Sequence, residues 1–122
     1  MRNIFLSAML TLLPIAALSE TLLYMVEQDG CCWCARWDRD IAHIYSKTPE
    51  GQAAPLQRID IASERPFAEE RRILYTPTFI LTKDAIEVGR IEGYPGEDAF
   101  WSLLQTVFAR AEIQLSPQAD MN

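Results

Sequence analysis

Three thiols fall within four positions, Cys31, Cys32 and Cys34, in the run Gly30-Cys31-Cys32-Trp33-Cys34, and the 122-residue chain has no other cysteine. The cluster cannot build a framework of distant cross-links, so it is a local reactive unit. Cys31 and Cys34 are spaced i, i+3. One helical turn brings two such sulfurs close enough to close a small disulfide ring. If the first thiol stands at a helix start, the unpaired backbone N–H groups and the macrodipole there favour its thiolate. A pair placed this way switches between dithiol and disulfide. Cys31 is then the attacking nucleophile, and Cys34, one turn further in, is the resolving thiol that expels product from a mixed disulfide.

Other chemistries use the same residues. An inert structural disulfide closed within one turn would constrain few residues and stabilise little. A zinc site needs about four ligands, whereas this chain offers three thiols and a single histidine, His43. Cys31 and Cys32 are adjacent and His43 falls on a solvent face, so a tetrahedral site closes awkwardly and no metal is assigned. Copper(I) is soft and accepts fewer ligands. A copper or thiol carrier and a redox sensor are therefore the rival readings. Cys32 is an auxiliary thiol: a bystander, a covalent trap for a partner, or an exchange partner for Cys31.

The elements that position this cluster follow from periodicity. Thr21 to Glu27 is a largely apolar run suited to a buried strand, ended by a turn at Gln28-Asp29-Gly30. From Cys31 the period becomes helical: Cys34, Trp37, Ile41, Ile44 and Tyr45 share one face. Arg36, Asp40 and His43 take the opposite side, with Arg36 and Asp40 at ion-pair spacing. The cysteines thus lie at a strand-to-helix junction. Thr48 to Pro55 reads as a loop and Leu56 to Ile61 as a second strand. Ser63 to Leu74 reads as a helix with Ser63 as cap and Pro66 in its first turn. Thr76 to Thr82 is a third strand, turning at Lys83-Asp84 into an antiparallel fourth, Ile86 to Glu92. Gly93-Tyr94-Pro95-Gly96 is a loop before a last helix. Glu97 and Asp98 suit that helix's first turn, and Phe100, Leu103, Leu104, Val107, Phe108 and Ala111 form its apolar face. The order β-α-β-α-β-β-α predicts an α/β domain, a mixed four-stranded sheet with helices on both faces. Trp37 and Trp101 fit core positions, while Trp33 and Tyr94 form an apolar rim beside Cys31.

Residues 1–19 stand apart. Arg2 is followed by an apolar run from Ile4 to Leu18, broken by Pro14, and Ala17-Leu18-Ser19 has the small residues of a cleavage site. The run is shorter than the ~20 residues of a membrane-spanning helix, so it reads as a removable export signal cleaved near Ser19–Glu20. An uncleaved anchor facing the periplasm is the alternative. Cleavage leaves about 103 residues, a domain over 20–113 and a flexible tail over 114–122. The formal charge is −6, and losing Arg2 leaves ten basic against seventeen acidic side chains, −7. No basic stripe is present, which argues against nucleic acid.

Thr76-Pro77-Thr78 opens a strand far from the cysteines in sequence, and a proline in that place is ordinarily trans. Together, however, three features give the chain a resemblance to the thioredoxin family across residues 21 to 113. They are Cys31-x-x-Cys34 after a first core strand, Tyr75-Thr76-Pro77-Thr78-Phe79 some forty residues on, and Gly93 past the next strand. Within it, the chain is most similar to the exported thioredoxin-like proteins encoded with bacterial sulfur-oxidation systems. Cys-x-aromatic-Cys-Ala-Arg-Trp, Thr48-Pro49-Glu50-Gly51, Ala54-Pro55-Leu56 and the block Glu87 to Gly96 carry that match. The resemblance implies a thioredoxin fold and a cis Pro77 lying against the nucleophile. It also implies client-binding roles for Thr76 and Pro77, joined by Gly93 and the exposed Trp33. The implied activity is periplasmic thiol-disulfide exchange that reduces or reactivates cysteine proteins of thiosulfate oxidation, with disulfides or persulfides of a sulfur-carrier complex as clients. No bound cofactor is required, a membrane protein would supply electrons, and a monomer is expected. The chain departs from the family pattern at Met25, where many members have a buried acid, at Gly30, where a tryptophan is usual, and at the dipeptide Cys32-Trp33. Glu27 or water would then have to take the Cys34 proton.

Overall fold

The computed structural model describes residues 11–13 and 19–116. Most of the expected export leader and the end of the expected tail lie outside those residues. β1 (Thr21–Glu27) has four consecutive buried residues, Leu23 to Val26. Side chains alternate between the faces of a strand, so this burial requires cover on both sides of the sheet. β2 (Leu56–Asp60) runs parallel to β1 on one flank, β3 (Thr78–Lys83) antiparallel on the other, and β4 (Ile86–Glu92) antiparallel to β3. The order is β2-β1-β3-β4. Asp84 and Ala85, both at positive φ (51° and 61°), make the β3–β4 turn, one residue later than the sequence suggested.

Helices cover one face. α1 (Cys32–Trp37) passes into a π-helical segment (Asp38–Ala42) and closes with α2 (His43–Tyr45). α3 (Pro49–Ala53) is a short helix within the stretch read as loop. Thr48 caps it by accepting the Gly51 N–H at 3.0 Å, and Pro49 fits its first turn. α4 (Glu97–Arg110) begins with the two acids that favour a helix N-terminus. These helices bury Trp37, Ile41, Tyr45, Phe100, Leu104 and Phe108 against Leu23, Met25, Phe79 and Leu81 of the sheet. At the centre, Trp37, Phe79 and Phe100 pack with ring centroids 4.9 to 6.0 Å apart. α4 approaches β4 closely because Gly89 has no Cβ; one there would overlap Val107 Cγ1.

The other face differs from expectation. Ser63 to Leu74 forms no helix, so this side of the sheet is covered by an irregular segment whose Phe67 and Ile73 pack on Tyr24, Val26 and Ile80. The reason is where its backbone bonds go. The Ala68 N–H donates to Ala85 O at 2.8 Å and Ala68 O accepts the Glu87 N–H at 3.0 Å. Those groups would close a helix internally; here they extend the edge of β4. A buried ion pair completes the attachment. Arg90 and Glu87, with side chains 4% and 1% exposed, approach to 2.6 Å. Arg90 also donates to Arg71 O at 2.8 Å, and Glu87 accepts the Glu70 N–H at 3.0 Å.

Tyr94 is also not where the sequence suggested. It is 5% exposed, packs on Phe100 at 6.0 Å between centroids, and its hydroxyl donates to Asp40 Oδ2 at 2.8 Å. Burial, and then the Asp40 carboxylate beside it, push the Tyr94 hydroxyl up to about 12. Hydrogen bonds from Arg39 and then from Tyr94 hold Asp40 below the usual carboxylate range.

Glu87→Ala leaves the buried Arg90 guanidinium with only the more distant Glu92 carboxylate, at 3.4 Å, and is expected to cost about 3 kcal/mol of unfolding free energy, read from urea midpoints. A loss below about 1 kcal/mol would show that the pair does not hold the segment. The raised Tyr94 value carries a pH signature. The native state keeps a proton that the unfolded chain loses near pH 10, so the associated stability is intact below that pH and falls as pH climbs toward about 12. In Tyr94→Phe the decline of the urea midpoint across that window becomes shallower; an unchanged slope contradicts the raised Tyr94 value.

Candidate active site

The end of β1 is set by its burial, and the chain must turn sharply there to begin α1. Gly30 makes the turn at φ +76°, a conformation that costs glycine little. Cys31 then lands at the N-cap of α1 in extended conformation (φ −76°, ψ 103°), and its Sγ accepts the Cys34 N–H at 3.1 Å. Cys31 and Cys34 are disulfide-bonded, with Cα atoms 5.2 Å apart. The two sulfurs are not equivalent. Cys31 is half-buried, whereas Cys34 is 5% exposed and belongs to the core facing the sheet. Cys32 is exposed and outside the disulfide.

Strand register brings the other residues singled out from sequence to the same end of the sheet. Val26 of β1 is opposite Thr78 of β3, which is opposite Glu92 of β4. Cys31, Pro77 and Gly93 therefore follow or precede three neighbouring strand ends. The Thr76–Pro77 bond is cis, Pro77 is buried, and its carbonyl accepts the Gly93 N–H at 2.7 Å. Thr76 is half-buried. Trp33 is 47% exposed, and the Arg36 guanidinium lies 4.7 Å from its ring centroid. Trp37 is fully buried and Trp101 partly so, as their spacing indicated, and His43 is exposed. The pair brought together by register and by the turn is thus the disulfide itself, flanked by a cis-proline loop and an exposed indole.

A groove of about 560 Å³ opens beside the disulfide, lined by Glu27, Cys31, Cys34, Asp38, Arg58 and Asp60 among others. Arg58 spans it, donating to both Glu27 oxygens at 3.2 and 2.5 Å and to Asp38 at 3.0 Å. Sequence reasoning did not single out Arg58. Glu27 and Arg58 lie on adjacent parallel strands, with Met25 opposite Arg58 and Glu27 opposite Asp60. Only that register reveals the cluster; a strand alternation in the sequence cannot. Met25, at the position where many thioredoxins carry an acid, is fully buried in the apolar core.

This arrangement is suited to thiol-disulfide exchange: a disulfide whose first sulfur is half-buried at a helix start and whose second is buried one turn away. Comparison with known proteins agrees. A family model described as a thioredoxin-like domain matches residues 14–108. Among solved structures the chain is similar to the periplasmic thioredoxin SoxS from Paracoccus pantotrophus in its reduced form. The two are 47% identical, the match covers 75% of this chain and 99% of that one, and the TM-score is 0.73. No curated protein matches the chain. With its Cys31–Cys34 pair at the strand-to-helix junction, the chain belongs to the thioredoxin-like family and is a thiol-disulfide oxidoreductase.

Proposed function

We propose that this protein acts in the periplasm as a reductant of cysteine-containing proteins of sulfur (thiosulfate) oxidation, with Cys31 as nucleophile and Cys34 as resolving thiol. The observation that carries the mechanism is the unequal burial of a disulfide spanning the first turn of α1. In the reduced protein, the Cys31 thiolate attacks a client disulfide, forming a mixed disulfide and releasing one client thiolate. Cys34 loses its proton and attacks Cys31 Sγ. The second client thiolate leaves, and the Cys31–Cys34 bond forms. Two electrons have moved to the client. With a client persulfide, attack on the inner sulfur releases hydrosulfide first, and the same resolution follows.

The proton on Cys34 needs an acceptor. Both oxygens of Glu27 are engaged by Arg58, and Met25 offers no base, so water in the open groove takes it. Thr76 pairs with the client backbone and the cis Pro77 positions it, Gly93 leaves room for it, and Trp33 supplies apolar contact; Cys32 remains an auxiliary thiol beside them. A membrane protein carrying reducing equivalents outward renews the dithiol. The periplasmic location rests on the leader read from residues 1–19 and on the description of the P. pantotrophus protein. Among the described residues no helix is long and apolar enough to cross a membrane. The sulfur-oxidation assignment rests on the specific motif blocks, above all Glu87 to Gly96.

Cys34→Ser is expected to stall the reaction as a mixed disulfide at Cys31, and mass spectrometry of the trapped species should recover exported proteins of sulfur oxidation. An indiscriminate set of exported proteins would overturn the pathway assignment while leaving the chemistry. Cys31→Ser is expected to reduce turnover of a model disulfide to the uncatalysed rate; retained turnover would overturn the assignment of the nucleophile.

A further inference from the structure

The i, i+4 spacing of Arg36 and Asp40 predicts an ion pair, and the structure does not form it. The helix changes pitch between them: Asp40 sits in the π-helical segment that begins at Asp38, where i, i+4 side chains no longer stack. Asp40 turns instead to Arg39 Nε at 2.9 Å and to the Tyr94 hydroxyl at 2.8 Å. Arg36 takes part in none of the ion pairs among the described residues. Its guanidinium lies over the Trp33 ring, which holds it in place without consuming its hydrogen-bond donors.

Trp33 and Arg36 line a hollow of about 260 Å³ together with Arg39, Asp40, Tyr94, Pro95 and Gly96. It shares no residue with the groove that the redox pair lines: Cys31, Cys34 and Asp38 face the groove from one side of the helix, Trp33, Arg36 and Asp40 face the hollow from the other. The two differ in charge. The groove carries Glu27, Asp29, Asp38 and Asp60 against Arg58 alone, so it is acidic. The hollow is lined by two guanidinium groups, Arg36 and Arg39, and one carboxylate, Asp40, which feels both cations but spends its hydrogen bonds on Arg39 and Tyr94; the lining is therefore cationic, and the Arg36 donors stay free. In an acidic protein, a fixed guanidinium with free donors beside the redox pair is a site for a carboxylate.

We propose that Arg36, seated on Trp33, is a specificity determinant that binds an acidic side chain of the client polypeptide on one side of its attacked cysteine. The inference rests on the client chemistry described above and adds the client's charge pattern to it. An acid on the opposite side meets the acidic groove and gains nothing, so the preference is positional.

The test uses three disulfide-bonded peptides as substrates of the reduced protein. One has glutamate two residues before the cysteine, one has it two residues after, and the third has glutamine at both places. One glutamate peptide is expected to react about tenfold faster in kcat/KM than the glutamine peptide, the scale of one charge-assisted hydrogen bond. Arg36→Gln should reduce that advantage to within about twofold, and Arg36→Lys should restore part of it. The inference is overturned if neither glutamate peptide gains, if the advantage survives in Arg36→Gln, or if all three rates fall together, since Arg36 would then act on the redox pair or the fold. Failure of the parent protein to reduce even the glutamine peptide would instead overturn the client chemistry, and this inference with it.

Discussion

A buried tryptophan decides which sulfur is buried and which is left at the surface. Trp37 has no exposed surface and is locked by Phe79 and Phe100, so the rotation of α1 about its axis is fixed by aromatic packing. Cys34 is three residues earlier, on the same face, and goes into the core with it. Cys31 is a turn before that, at the N-cap, and is carried to the edge of the groove. β1, buried on both faces, fixes where the strand ends; Gly30 fixes how sharply the chain turns. Neither cysteine is placed by the other. Core packing places both, and the disulfide forms because the packed positions fall within bonding range.

The sheet's two faces are built by different means, and the second bears on the site as much as the first. The irregular segment before β3 leads directly into Thr76 and Pro77. Without helical hydrogen bonds of its own, it is attached to β4 through Ala68 and through the Glu87–Arg90 pair. A buried pair is a poor source of net stability compared with apolar packing, yet losing one member is costly. Its value here is positional: it fixes the approach to the cis-proline loop on an edge strand that would otherwise lie open.

Much of this was legible in the sequence, and all but one of the failures share a cause: the deciding partner is distant in sequence. β1 and β4 have the residues read for them, because apolar runs bounded by turn residues specify both ends locally. The cysteines' place at a strand-helix junction followed from the change of period at Cys31. Ser63 to Leu74 misled because its cap and spacing favour a helix, while the partners that compete for its backbone lie in β4, about twenty residues on. Tyr94 looked like a surface residue because Asp40 becomes its partner only through a π-helical change of pitch, which no periodicity reveals. Arg58 was invisible for a related reason: it reaches Glu27 through parallel register. α3 is different. Thr48 before Pro49 is a local helix-start signal that the reading of a loop passed over.

Exchange at this site requires Cys31 to be ionised and reachable near neutral pH. The direct measurement is the pH dependence of alkylation of the reduced protein in a Cys32→Ser background, with each cysteine followed by mass spectrometry. Cys31 is expected to react first, with an apparent pKa at least about one unit below the roughly 8.5 of a free thiol, and Cys34 to lag behind. A Cys31 that titrates at or above the free-thiol value, or that reacts no faster than Cys34, would contradict its assignment as the nucleophile.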